Sequence, residues 1–113
     1  MSVTVIEILP AKLAENSQTT QYTVSTGNKV IIDKFTVTNI HALSAAAISV
    51  NLVPSGDAAG SSNLILDAKS LATGETYTCP EVVGHVLAAG SFISTLASVA
   101  SALTIRISGR AVS

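Results

Sequence analysis

Leu103-Thr104-Ile105-Arg106-Ile107-Ser108 is the stretch that decides the fold. Apolar side chains take every second position and polar ones the positions between, the two-residue period of a half-buried β-strand. The alternation recurs upstream. Ile48, Val50 and Leu52 alternate with Ser49 and Asn51, and Phe35 and Val37 with Thr36 and Thr38. Strands that are apolar on one face and wet on the other belong to antiparallel sheets.

Outward from these anchors, turn residues divide the chain. Val3 to Leu9 reads as a strand that stops at Pro10, and 11–17 as a connection or short helical turn. Gln18 to Val24 is a polar strand, Ser25-Thr26-Gly27-Asn28 a turn, and Lys29 to Ile40 a long strand. Val30-Ile31-Ile32 is apolar on both faces, which predicts a bulge there. Ala47 to Val53 returns as a strand, and Pro54 opens the loop-like PSGDAAGSSN. Leu64 to Leu71 follows with Leu64, Leu66 and Ala68 on one face. Thr76 to Cys79 is a strand that Pro80 interrupts, Val82 to Leu87 is short and ambiguous, and Ser91 to Ala97 and Leu103 to Val112 close the chain.

The sum is an all-β chain of roughly seven to nine short strands, a single antiparallel β-sandwich of jelly-roll or immunoglobulin-like topology. The pattern leaves those two open. A helix over 92–103 competes locally, because Phe92, Leu96, Val99 and Leu103 fall at helical spacing; β-branched Ile93, Thr95 and Val99 weigh against it. Residues 1–17 are set apart as an N-terminal strand or arm, with 18–113 as the β-sandwich, in one domain overall.

Composition narrows the function classes. The 113 residues are 48% hydrophobic and 12% charged, with a formal charge of −1, which speaks against disorder and against a phosphate-gripping surface. Phe35, Phe92, Tyr22 and Tyr77 are the aromatic residues, so stacking platforms for sugars or bases are scarce. Fifteen Ser and twelve Thr outnumber the charged residues, which suits dense packing among neighbours or reflects the strand propensity of Thr. Val82 to Ile105 carries no formal charge and is long enough to span a bilayer, yet it holds His85, Gly84, Gly90 and six hydroxyl side chains. No nucleic-acid partner and no membrane partner are therefore expected, nor a signal peptide in MSVTVIEILPAKLAEN.

The chemistry-bearing residues do not cluster in sequence. Cys79 is the lone cysteine, read as a half-buried structural thiol. His41 and His85 are far apart with no acid pair near either, and His41 reads as a solvated loop histidine. Asp33, between apolar neighbours, reads as an edge-strand or interface acid. Glu75 and Glu81 bracket Tyr77 and Cys79 without an inferable catalytic spacing. Gly56 and Gly60 are followed by no Gly-Lys-Ser/Thr, and Gly-x-Ser-x-Gly is absent from the sequence. The expectation is a protein that is not an enzyme, with no catalytic residue, cofactor or metal site.

Five segments in order carry a resemblance: Val30-Ile31-Ile32-Asp33-Lys34-Phe35-Thr36-Val37-Thr38-Asn39, Val50-Asn51-Leu52-Val53-Pro54-Ser55-Gly56, Ala72-Thr73-Gly74-Glu75-Thr76-Tyr77, Gly84-His85-Val86-Leu87-Ala88-Ala89-Gly90 and Leu103-Thr104-Ile105-Arg106-Ile107-Ser108-Gly109. Together they span about residues 20–110, and the chain resembles small virion structural proteins of tailed bacteriophages. Each segment alone is strand-and-turn grammar; the ordered set carries the likeness. The resemblance implies a non-enzymatic β-sandwich that cements or decorates the capsid, or sits in a neck, tail or fibre adaptor. It implies the phage major capsid protein and sister copies as partners, in a homo-oligomer. Its place would be the capsid surface of the virion, after synthesis in the host bacterial cytoplasm. A small lectin-like, ligand-binding β-sandwich is the alternative from another class.

Val3-Thr4-Val5-Ile6-Glu7-Ile8-Leu9 is apolar on both faces. An edge strand of that composition invites pairing with another chain, so Val3, Val5, Ile6, Ile8 and Leu9 are the candidate interface residues. An ordinary buried strand of the chain's own sandwich is the other reading.

Overall fold

Nine strands carry the fold in the computed structural model, which describes residues 2–113. They are β1 (Val3–Leu13), β2 (Thr19–Thr23), β3 (Lys29–Asn39), β4 (Ala46–Val53), β5 (Leu64–Leu71), β6 (Thr76–Tyr77), β7 (Val86–Leu87), β8 (Phe92–Ala97) and β9 (Leu103–Val112). A 3-10 turn, Ser61–Asn63, precedes β5.

Antiparallel pairing joins β1 to β9, β2 to β8, β4 to β5, and β3 to both β6 and β7. With β6 and β7 counted as one interrupted strand, first pairs with last, second with next to last, and so on inward. That is one long hairpin rolled upon itself. The lateral pairings β9–β3 and β8–β4 complete two sheets, ordered β1-β9-β3-β6 (with β7 also on β3) and β2-β8-β4-β5. The topology is therefore a jelly roll; an immunoglobulin-like sandwich would pair its first two strands directly.

The core lies between the sheets. Val30, Ile32, Phe35 and Val37 of β3 and Leu103, Ile105 and Ile107 of β9 face Ile48 and Val50 of β4, Ile93 of β8 and Leu71 of β5, all inaccessible to solvent. Burying each such side chain contributes about 1.5–3 kcal/mol, against the entropy of ordering the chain. The alternation of the deciding stretch is kept: Leu103, Ile105 and Ile107 point in, while Thr104, Arg106 and Ser108 lie between them on the outer face.

Several local expectations need correction. β1 does not stop at Pro10 but continues to Leu13, with register shifts between Glu7 and Leu9 and between Leu9 and Lys12. An edge strand tolerates proline at a bulge because no ladder bond is lost there. The bulge expected in the third strand falls between Ile32 and Lys34, at Asp33. Leu64, Leu66 and Ala68 do not share a face. A bulge opposite Ser49 puts Ala68 at a φ of 47° and out into solvent, its N–H donating to the Ser49 hydroxyl at 2.9 Å, and Leu71 is buried instead. β6 ends at Tyr77, two residues short of Cys79. The competing helix over 92–103 is β8 and the turn that follows it. Among the described residues, no helix is long and apolar enough to cross a membrane.

Candidate functional site

The register of β1 on β9 separates the five candidate interface residues. Val3 lies opposite Val112, Val5 opposite Arg110 and Ile6 opposite Gly109. Directly opposed residues share a face, so Val3 and Val5 join the outer face of the sheet, where they are 55% and 82% exposed. Ile6 is half-buried against the core, and Ile8 and Leu9 belong to it. A bulge at Ile8 explains how two consecutive side chains both turn inward. Gly109 makes room for this. A Cβ there would run into the Ile31 carbonyl and the Ile8 side chain.

Across the outer face, Val5, Arg110, Ile31 and Val86 form one row over β1, β9, β3 and β7. Val86 is 59% exposed. Arg110 interrupts this apolar row, but its guanidinium is held in a two-pronged pair by Asp33, Nε to Oδ2 and Nη2 to Oδ1, both at 2.9 Å. The edge-strand reading of Asp33 is thus corrected. Asp33 sits at the bulge of β3, an interior strand between β9 and the β6 and β7 side. Arg106 pairs with Glu7 through a single contact, Nη2 to Oε2 at 2.9 Å. Both pairs are half-exposed, so solvent screens them; they neutralise the two arginines, while Lys29 and Lys34 stay exposed on the same face. The chain ends meet beside the row: the Ser113 N–H donates to the Ser2 carbonyl at 3.0 Å.

The outer face of the other sheet is covered around Asn51 and Ser94, while Ser70 of β5 stays exposed. The 54–63 loop folds onto it through Asn63, whose side-chain Oδ1 accepts from the Gly60 N–H at 3.1 Å and from Asn51 Nδ2 at 2.8 Å. Asn63 Nδ2 donates to the Ala58 carbonyl, and Gln18 Nε2 donates to the Ser94 hydroxyl at 2.7 Å. Asn51, Asn63 and Ser94 are buried, and among the described residues no buried side-chain nitrogen or oxygen lacks a partner. Asn39 does the same at the other end of the roll, donating to the Leu71 and Ser44 carbonyls and accepting from the His41 N–H. Asparagine is depleted in strands, so Asn39 and Asn51 inside strand patterns are the sequence signal for these contacts; Asn63, in the loop, carries none.

Several titratable groups make structural contacts. Cys79 is wholly buried rather than half-buried, with a φ of 47°; burial, reinforced by the Glu81 charge, pushes its thiol up to about 12. The Tyr77 hydroxyl donates to the Glu81 carboxylate, which raises Tyr77 to about 12 and lowers Glu81. Lys69 from β5 lies 4.9 Å from the Tyr77 ring centre, a contact that ties the sheets together at this edge. His41 and His85 sit at opposite ends of β3, next to Asn39 and Ile32 respectively. His41 Nδ1 accepts from the Leu43 and Ser44 N–H groups at 3.1 and 3.2 Å, so the ring caps its own loop. Among the described residues, no three His, Cys, Asp or Glu converge. An open cleft of about 580 Å³ beside the chain ends is lined by Gly27, Asn28, Lys29, Ala88, Ala89, Val112 and Ser113, with no aromatic ring.

Comparison with models of protein families, with curated proteins and with solved structures finds no match.

Proposed function

We propose that this protein is a non-enzymatic structural protein of a tailed-phage virion, a cement or decoration protein on the capsid surface. One observation carries the reading: a jelly roll presents an apolar row beside a free strand edge, with both arginines of that face paired to carboxylates within the chain and Lys29 and Lys34 as its free charges. Jelly rolls build viral capsid domains, but also lectins and cupins, so the surface and not the fold bears the weight. A face of this kind grips by apolar burial and strand-edge hydrogen bonds, with little electrostatic steering. The ordered strand-and-turn segments that resemble phage virion proteins support the same assignment. In this reading the protein is made in the bacterial host, and its partners are the major capsid protein and sister copies.

The test is co-sedimentation of the purified protein with tail-less capsids that lack it. Saturable binding is expected, and raising NaCl from about 0.05 to 0.5 M should change it less than about threefold. Binding to isolated tails but not to heads would replace the cement role with a neck, tail or fibre-adaptor role. The cleft at the chain ends falls in the ordinary size range of ligand pockets, which is the one observation favouring a lectin-like module. Glycan-array binding lost on Asn28→Ala, without capsid binding, would favour that module.

A further inference from the structure

β1 meets solvent along one edge, and the direction of its backbone groups there can be worked out. The Ser113 N–H donates to the Ser2 carbonyl, so Ser2 turns its backbone toward β9. Antiparallel alternation then turns Thr4 and Ile6 toward β9 as well, and Val3, Val5 and Glu7 outward. A separate chain of bonds agrees. Ile32 spends its N–H on the His85 carbonyl and its carbonyl on the Gly84 N–H, so it faces away from β9. Gly109, opposite Ile32, must then face β1, where it meets Ile6. From Val3 to Glu7 the register is unbroken; beyond it come the Ile8 bulge and Pro10, which has no N–H to offer.

The other edges are guarded. β2 is bulged at Gln21, whose side chain accepts from Lys12. β5 is broken twice in register and carries Asp67 and Lys69 around its bulge. β6 and β7 are two residues each.

We propose that residues 3–7 pair antiparallel with the same residues of a second copy of this chain, about a two-fold axis through Val5. The two β1 sheets then become one continuous sheet. Val5 lies opposite its counterpart and Val3 opposite Glu7, so the outward N–H and C=O groups of all three residues are satisfied, about six new bonds. The pairing window closes where the Ile8 bulge would face Ser2. Self-complementarity selects a second copy as the occupant. The outward positions 3, 5 and 7 are evenly spaced about Val5, so each Glu7 meets the apolar Val3 of the other copy, and the two Glu7 residues stand about 13 Å apart along the strands at 3.3 Å per residue, beyond the screening length. Each Glu7 is already held by its own Arg106. The axis also places the two Val5 side chains together, which runs the apolar row of one copy into that of the other. This deepens the self-association in the reading above, but it needs only the chain itself.

Sedimentation velocity of the isolated protein, from roughly 10 to 300 µM to suit a small interface, tests it. The wild type is expected to dimerise. Val5→Pro removes an outward N–H only, so the dimer should disappear with melting unchanged within about 3 °C, whereas Thr4→Pro breaks a bond to β9 and should melt lower. Val5→Lys, free of proline strain, should weaken the dimer at least about tenfold by opposing two ammonium groups across the axis. Oxidised Val5→Cys should give a disulfide-linked dimer, because Cα atoms so paired lie about 5.5 Å apart, and Ser70→Cys on β5 should not. A wild type that stays monomeric at the top concentration, a dimer indifferent to Val5→Lys, or equal melting losses for Val5→Pro and Thr4→Pro would each overturn the inference. A sound dimer that ignores capsids would instead sink the virion reading alone.

Discussion

The five-stranded sheet ends on two unlike edges. On one side β1 runs for eleven residues; on the other, β6 and β7 supply two each, separated by a crossover that drops Cys79 and Val82 into the core. On both sides the edge is interrupted where consecutive or nearby side chains turn inward. Ile8 and Leu9 do this on β1 through a bulge, and Cys79 and Val82 do it on the far side by leaving the strand. Core filling and edge closure are thus the same act: a backbone that bends to bury its side chains cannot also offer a straight ladder to a neighbour. Residues 3–7 keep a straight ladder, and of them Ile6 packs against the core while Val3, Thr4, Val5 and Glu7 are exposed.

The sharpest way to break this comparison is to truncate its two halves separately. Leu9→Ala should cost about 2–5 kcal/mol by opening a cavity, and lower the melting temperature by roughly 10 °C or more. Val5→Ala should stay within about 0.5 kcal/mol. Equal losses in a calorimetric melt would mean that β1 is one uniform strand.

Next in size is Gly109→Ala, expected to cost about 1–3 kcal/mol in a urea titration. The added Cβ meets the Ile31 carbonyl, a backbone group that cannot rotate aside, as well as Ile8. A neutral outcome would show that the sheet relaxes there, and that the inward turn at Ile8 does not need the glycine.

The far edge is probed by pH. Burial raises the Cys79 thiol from 9.0 to about 12, so the protonated thiol favours the folded state. That contribution is complete below pH 9 and is lost as pH rises toward 12, because the unfolded chain releases its proton first. Tyr77, raised from 10.0 to about 12 mainly by its bond to Glu81, adds a loss of the same sign between 10 and 12. The urea midpoint should therefore fall above pH 9, and less steeply in Cys79→Ala. The native thiol should also resist alkylation at pH 8. Rapid alkylation of folded protein would show that the crossover opens, and that this edge is the weaker of the two.

Smallest of all is Glu7→Gln. Its ion pair with Arg106 is half-exposed, so stability should drop by less than about 1 kcal/mol, and 0.5 M salt should mask most of it. A larger loss would mean that charge, and not backbone pairing, holds the open half of β1 in place.

Much of this was legible in the chain. Leu103, Ile105 and Ile107, Ile48, Val50 and Leu52, and Phe35 and Val37 take inward faces by their two-residue period; all are buried except Leu52, which is half-buried against the core. Val5 and Leu9, by contrast, belong to a segment apolar on both faces, and alternation alone would put them on one face; only the bulge at Ile8 turns Leu9 inward. Asn51 and Asn63 look like ordinary strand and loop residues until the 54–63 loop closes over the sheet and makes them partners. Pro10 signals a stop, and would be one in an interior strand.

The sequence by itself determined the strands, because a period of two is a property of the local backbone and of which faces meet water. It also determined that their turns fall at Gly, Pro, Ser and Asn, whose conformational preferences are local too. The tertiary structure alone decided that β1 pairs with β9 from the far end of the chain, which made the sandwich a jelly roll. It decided as well where each bulge falls. A bulge is one extra residue relative to a partner, and no pattern within a strand can register a partner that only the packing of the whole roll selects.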